Sequence, residues 1–421
     1  MTALDTDRIR AQFPALRRAL SGRRAVFVDA PGGTQVPRSV IDAIADYLTT
    51  SNANEGGSFV TSAETDAVIE SAREAGADLL GCAPDEVVFG ANMTSLAFAL
   101  AHGLARRLGV GDEVVVSALD HDANIAPWIA AAEDAGAAVK WVDFDPADCT
   151  IDLDSLDRAL SDRTRIVAFT LASNAVGTIP PATEIIRRVR AASEALVIAD
   201  AVHFTPHRLV DVEALDVDFL FCSPYKFFGP HLGVMYGKSS LLKDIRPYKV
   251  RPAPDDAPAS WETGTRSHEA LAGFTACVDY MASLTDAAAG WAGPDRRAGG
   301  DRRKRIVAGA EAIAEHEAGL SLAFLRAAAD LSDITIYGIA DLQRIGERTP
   351  TFALTVAGAS PVTVAKRLGE QGIFVWDGNY YALALMERLG LEETGGAVRI
   401  GFCHYHSVED VGRVADALSP T

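Results

Sequence analysis

Through residues 27–237, short apolar, β-branched runs alternate with Ala-rich stretches of helical length, and no other feature of the chain constrains its fold as strongly. Continuous apolar runs of that length suit strands covered on both faces, and the stretches between them are long enough to serve as crossover helices. The predicted strands are 86–89, 113–117, 138–142, 165–170, 195–199, 219–222 and 234–236, with helices at 38–49, 65–80, 95–108, 124–135 and 183–192. The pattern implies an α/β layer structure with helices on both faces of a mostly parallel sheet. Ligands of such sheets bind beyond the carboxyl ends of the strands, so polar residues at strand ends are the candidates for chemistry.

Two stretches break the alternation. Residues 250–260, VRPAPDDAPAS, carry too much proline for the interior of an element, and residues 290–305, rich in Gly, Arg and Asp, read as a solvated loop. Beyond them a second αβ region is predicted: helix 306–317, strands 334–337 and 351–356, helix 362–371, strands 373–376 and 398–401, and helix 408–418. The expected organisation is a large domain over residues 26–265 and a smaller α/β domain made from 266–421 together with 1–25. A length of 421 residues suits two or three domains.

A net charge of −18 disfavours phosphate backbones and anionic membranes as partners, so neither nucleic acid nor a lipid surface is expected. No apolar run approaches the roughly 18 residues that span a bilayer, and the first 20 residues have charges where a signal peptide has its apolar core. The five cysteines (Cys82, Cys149, Cys222, Cys277 and Cys403) are scattered and lack CxxC spacing. Neither a disulfide framework nor a metal site is expected, and the expected location is cytoplasmic.

The strand ends carry the chemistry. In DVDFLFCSPYKFFGPHLGVMYG, residues 216–237, an apolar strand runs through Ser223-Pro224-Tyr225 to Lys226 before a Gly-containing return strand. A lysine on such a loop is either an ordinary surface residue or, once desolvated, an amine nucleophile of the kind that forms a Schiff base with pyridoxal phosphate. Asp200 closes the apolar run 196–199, where a buried carboxylate needs a partner; the same position also suits a turn. Asn92-Met93-Thr94 opens a helix with free backbone amides, a phosphate site or a plain N-cap. His121 follows strand 113–117 as a ring that can stack on a heteroaromatic group or simply enter a helix. Ser173-Asn174 and Thr265 bring further small polar groups to strand or loop ends.

Taken in order, Asn92-Met93-Thr94, His121-Asp122-Ala123-Asn124, Ser173-Asn174, Asp200-Ala201-Val202-His203, Ser223-Pro224-Tyr225-Lys226 and Glu262-Thr263-Gly264-Thr265 resemble the class V aminotransferase family, and most closely its cysteine desulfurase-like branch. The similarity runs from Ala30-Pro31-Gly32-Gly33 to Arg399. It implies the fold type I of pyridoxal 5′-phosphate enzymes, with a mixed, mostly parallel seven-stranded sheet. It further implies Lys226 as the Schiff-base lysine, Asp200 as partner of the ring nitrogen, His121 stacked on the ring, and Asn92, Met93, Thr94, Ser223 and Tyr225 around the phosphate. Asn174 and His203 are implied near the ring hydroxyl, although the family usually has Gln at the His203 position and His at that of Tyr225. Arg399, with Asn174, is implied to bind the carboxylate of an amino-acid substrate. The resemblance also implies a homodimer with the active site at the subunit interface, Thr265 reaching the phosphate of the other copy.

The chain departs from that branch in one place. Desulfurases of this kind carry a persulfide-forming cysteine roughly 15 residues before the carboxylate-binding arginine, and residues 376–385, WDGNYYALAL, contain none. Tyr380 and Tyr381 stand there instead, to close over substrate, to act as acid or base, or to pack. The expected function is a carbon–sulfur β-lyase acting on cysteine or an S-substituted cysteine without that thiol. The alternatives are an amino-acid epimerase or racemase, similar to isopenicillin N epimerase, and an aminotransferase.

Overall fold

The computed structural model describes residues 4–285 and 299–419. Its larger sheet has seven strands: β1 (Val87–Gly90), β2 (Glu113–Ser117), β3 (Ala138–Val142), β4 (Thr164–Thr170), β5 (Leu196–Asp200), β6 (Phe219–Cys222) and β7 (Gly233–Gly237). They lie in the order β1-β7-β6-β5-β4-β2-β3. All neighbours are parallel except around β7, which runs antiparallel to both β6 and β1. The reversal has a local cause: the link from Cys222 to Gly233 is too short for the helical crossover that a parallel neighbour needs. Strands β2, β6 and β7 are buried at every position, as the apolar residues at their centres require.

Helices α1 (Arg38–Thr50), α2 (Val60–Leu80), α3 (Met93–Ala105), α4 (Ala126–Ala135), α5 (Ala182–Ala192) and α6 (His268–Ala282) belong to the same body. Helix α6 was not expected from the sequence; it packs on α1 and α2. A glycine decides one of these contacts: a Cβ on Gly273 would lie 2.8 Å from the Ile44 side chain of α1.

The second sheet is antiparallel, with β8 (Ile334–Tyr337), β9 (Thr351–Val356), β10 (Trp376–Gly378) and β11 (Ala397–Gly401) in the order β8-β9-β11-β10. Helices α7 (Gly299–Ala329), α8 (Pro361–Glu370) and α10 (Val408–Leu418) accompany it, with the short α9 (Leu383–Arg388) between β10 and β11. Phe324 of α7, Phe352 of β9 and Phe402 form its aromatic centre, with ring centroids 4.4 and 5.6 Å from Phe324. Val26 and Val28 join this smaller core, whereas Ile9, Phe13, Leu16 and helix α6 pack in the larger one. The core residues of segment 1–25 thus pack with the larger body, Val26 and Val28 of segment 26–265 pack with the smaller one, and segment 266–421 contributes to both.

Two further expectations change. The loop expected at 290–305 is helical from Gly299 onward, while residues 290–298 lie outside the described residues. The charged run there is anchored: Arg302 pairs with Asp78 at 2.6 Å and Asp279 at 3.2 Å, and Arg303 with Asp211 at 3.0 Å. Composition alone cannot separate a solvated charge run from a paired one. The single strand expected at 373–376 divides, because Ile373–Phe374 pairs in parallel with Val26–Phe27 while Trp376 pairs with Arg399.

Asp410, at the start of α10, has no exposed surface and holds the N-terminal segment to the C-terminal one. It pairs with Arg10 and, at 2.5 Å, with Arg24, and accepts the Ser407 amide at 3.1 Å. Removing one partner of such a group strands the other charge. Asp410→Ala is expected to lose about 3 kcal/mol of unfolding free energy, read as a lower urea midpoint with an unchanged slope.

Candidate active site

The candidate residues converge where the carboxyl ends of the larger sheet meet the 29–33 turn and strand β11. Lys226 sits in a single turn of 3-10 helix directly after β6, and it is 9% exposed. Its Nζ donates to the Pro31 carbonyl. Burial, assisted by the nearby Arg399, pushes its pKa down to about 7, with Asp200 opposing the shift. A buried amine without a carboxylate in hydrogen-bond contact is the environment that makes a lysine nucleophilic near neutrality.

Asp200 ends β5, and its carboxylate accepts the Val202 amide on Oδ1 at 2.8 Å. Burial pushes its carboxyl up to about 6, and Lys226 partly offsets this. Asp120 lies immediately before His121, fully buried, with its carboxylate held by Asn124 Nδ2 at 2.6 Å and the Thr170 amide at 3.0 Å. The sequence does not mark Asp120, because one of its two partners, the Thr170 amide, comes from another strand end. His121 accepts the Ala123 amide on Nδ1 at 3.0 Å, which puts a neutral ring's proton on Nε2. Burial, with Lys226 and Arg399 as cationic neighbours, holds its pKa down to about 3, so the ring is uncharged.

The helix start at Asn92 is open. Asn92 caps α3 by accepting the Ser95 amide at 2.8 Å; Asn92 and Thr94 are exposed and Met93 is buried. Gly233 lets the return strand approach: a Cβ there would lie 2.3 to 2.7 Å from the backbone of Asn92 and Met93. Ser223 is buried beside the turn, and Tyr225 stacks on His231 with ring centroids 5.0 Å apart. Thr265 is exposed. Its loop is pinned through Glu262, which takes Arg73 at 2.7 Å and the Phe89 amide at 2.8 Å.

On the opposite wall, Arg399 is 4% exposed, donates from Nη1 to the Asn174 carbonyl at 2.9 Å, and leaves Nε without a partner. Its guanidinium lies 4.3 Å from the Tyr380 ring centroid. The Tyr380 hydroxyl donates to the Ala397 carbonyl, and burial raises its pKa, so it is committed to packing beneath the arginine. Tyr381 is exposed and stacks on His121 at 5.5 Å with 20° between the planes. Asn174 Nδ2 donates to the Tyr380 carbonyl at 3.0 Å, leaving its buried Oδ1 unpartnered. His203 is held by the hydroxyls of Thr351 at 3.0 Å and Thr349 at 3.2 Å, both on Nε2. Behind it lie His207 and Glu317, bonded at 2.8 Å.

These groups match the requirements of pyridoxal 5′-phosphate. A desolvated amine, a buried carboxylate for a ring nitrogen, an uncharged flat imidazole and an open helix start for a phosphate face one region. The unpartnered Arg399 Nε and Asn174 Oδ1 remain for a polar ligand. No group of three or more His, Cys, Asp or Glu side chains among the described residues is arranged to hold a metal ion, and none of the described helices is long and apolar enough to cross a membrane.

Comparisons with known proteins agree with the geometry. The model of the family described as "Aminotransferase class-V" matches residues 26–292 and 306–414. The chain is similar to the aminotransferase-like protein FGM3 of Gibberella zeae, 30% identical over 99% of this chain and 98% of that protein. It is similar to a probable cysteine desulfurase of Streptomyces coelicolor, 30% identical over 99% and 96%. Among solved structures it resembles the cysteine desulfurase CsdA of Escherichia coli, with a TM-score of 0.83 and 25% identity over 99% and 98%. A cysteine desulfurase of Thermococcus onnurineus shares the fold, with a TM-score of 0.85 at 23% identity over 99% and 98%.

The electrostatics of Lys226 are testable on the apoprotein. The rate of cofactor capture is expected to rise with pH around a midpoint near 7, as the amine loses its proton. Asp200→Asn removes the group that raises this pKa and should shift the midpoint down; Arg399→Ala removes one that lowers it and should shift the midpoint up. Shifts in the same direction, or a midpoint above 9, would refute this account.

Proposed function

Because the chain belongs to the class-V aminotransferase family, whose cofactor is pyridoxal 5′-phosphate, we propose that it is a carbon–sulfur β-lyase acting on cysteine or an S-substituted cysteine. The observation that carries the reading is the buried Lys226 amine between Asp200 and Arg399 in a site whose 376–385 segment contains no cysteine. When bound, the cofactor supplies a sink for the electron pair left at Cα.

The chain's own residues do the rest. Lys226 would hold the cofactor and, when its amine is free, would take the Cα proton at Nζ; a pKa near 7 suits both tasks. Asp200, buried at the end of β5, would hold the ring nitrogen of the cofactor and favour its protonated form. Arg399 offers Nε and its remaining N–H groups to the substrate carboxylate, with the Asn174 side chain beside it. His121 and Tyr381 form an aromatic wall, and the helix start at Asn92 to Thr94, with Ser223, receives the phosphate. In a homodimer, the exposed Thr265 serves the phosphate of the second copy.

A good leaving group at Cβ, such as a thiolate, then departs with the electrons of the carbon–sulfur bond. No protein thiol takes part. Cys403 is fully buried and burial raises its pKa, and Cys277 donates to the Phe227 carbonyl at 2.9 Å. The commitment of the Tyr380 hydroxyl to a backbone carbonyl leaves Tyr381 as the tyrosine with access to the site.

The holoenzyme should form pyruvate and ammonia from cysteine or S-substituted cysteines, and this should survive Cys403→Ser. Lys226→Ala should lose both turnover and the absorbance band of the lysine-bound cofactor. Arg399→Ala should raise KM about 10- to 100-fold, the worth of one or two charged hydrogen bonds. In deuterated water, α-deuteration with inversion and no pyruvate would overturn the lyase in favour of an epimerase. A keto acid formed only with an amino acceptor would do so in favour of an aminotransferase.

A further inference from the structure

The turn that carries the two tyrosines is held in an uncommon backbone form. Gly378, Tyr380 and Tyr381 have φ of +114°, +57° and +57°. Glycine occupies such a region freely, but tyrosine does so only where its surroundings compel it. A strained turn that faces an active site and is fixed at both ends calls for a functional explanation.

Three sets of contacts hold it. Asn379 Nδ2 donates to both carboxylate oxygens of Glu392, at 3.1 and 3.2 Å, and Asn379 Oδ1 accepts the Tyr381 amide at 3.1 Å. The Asn379 carbonyl accepts the Ala382 amide at 2.8 Å. Below them, Gly396 lies so close to Gly378 that a Cβ on it would be 2.0 Å from the Gly378 carbonyl oxygen. The turn rests backbone on backbone, with Glu392 as its polar anchor.

The left-handed form sends two consecutive carbonyls into the site. That of Tyr380 receives the Asn174 side-chain amide at 3.0 Å, and that of Tyr381 receives the Asp122 amide, next to His121, at 2.7 Å. The first contact fixes which end of the Asn174 amide is left free, and the second fixes the turn that bears the imidazole. Tyr381 then stacks its ring on that imidazole.

We propose that Asn379, seated on Glu392, is a positioning residue that orients Asn174 and His121 together through the carbonyls of Tyr380 and Tyr381. The proposal rests on the reading of the site as a pyridoxal-phosphate centre, but not on which bond is broken there. The turn is on this account a fixed strut of the site and not a swinging segment.

Amide hydrogen exchange and visible circular dichroism of the holoenzyme test it. In the wild type the amides of Asp122, Tyr381 and Ala382 should be protected. In Asn379→Ala they should exchange on the order of 10-fold faster or more, and the cofactor's dichroic band should weaken while its absorbance band at Lys226 remains. Glu392→Ala should act in the same direction. Glu392→Gln, whose amide oxygen still accepts from Asn379, should restore both readouts. Unprotected amides in the wild type, or lost protection in Asn379→Ala with an unchanged dichroic band, would overturn the positioning role. If Asn379→Ala does not fold, the Glu392 pair decides by the same two readouts. Absence of any cofactor band in the wild type would instead sink the pyridoxal-phosphate reading itself.

Discussion

Everything in this site depends on the burial of one amine. Lys226 is brought inside by the β6–β7 turn, and within hydrogen-bond reach it finds a backbone carbonyl but no carboxylate. A carboxylate in contact would hold the proton on and silence the amine; a carbonyl satisfies one N–H without doing so. Asp200 is the compromise, near enough to moderate the shift and not bonded to the lysine. The sheet order makes this possible, because β5 and β6 are parallel neighbours that end at the same edge, so Asp200 and the Lys226 turn emerge side by side.

The site also depends on two bodies meeting with almost no room between them. Gly177, with φ of +80°, follows the Asn174 turn so closely that a Cβ there would lie 2.4 Å from the Thr351 carbonyl oxygen of β9. Arg348 seals the seam. It is 1% exposed, donates to the carbonyls of Ile339, Thr349, Thr351 and Val176, and lies 4.0 Å from the Phe352 ring centroid. Burial lowers its pKa to about 9. A guanidinium answered only by carbonyls from both sides is a rigid spacer, and it fixes the distance from Asn174 to the strand that carries Arg399.

The strand ends were legible in the sequence for a physical reason. A covered strand is apolar over most of its length, so the carboxylate that ends 196–200 stands out as Asp200, and His121 and Lys226 stand out as polar residues in the loops that follow their strands. The open helix start is visible as Asn92-Met93-Thr94, yet Gly233, which permits its approach, is not, because a close contact between distant segments leaves no periodic trace. The same limit hides the bond of Asp120 with the Thr170 amide, that of Glu317 with His207 and that of Arg348 with the Val176 carbonyl, each between residues far apart in sequence. Helix α6 was overlooked beside a proline-rich segment, and the helical start of α7 was masked by charges that find partners only in the fold.

Arg399 shows how the empty requirements of a site point to its ligand. A guanidinium at 4% exposure, with its Nε unpaired and burial lowering its pKa to about 10, is short of negative charge. The Tyr380 ring beneath it offers only a π face, and Asp29, whose carboxyl burial pushes up to about 6, is not hydrogen-bonded to it. Removing Arg399 from water is therefore incompletely compensated within the chain, and a ligand carboxylate that takes the free N–H groups gains more here than at an exposed arginine. The same charge disfavours the protonated form of Lys226. On the proposed reading, a carboxylate at Arg399 would weaken that effect and make Lys226 more basic at the point where it has a proton to accept.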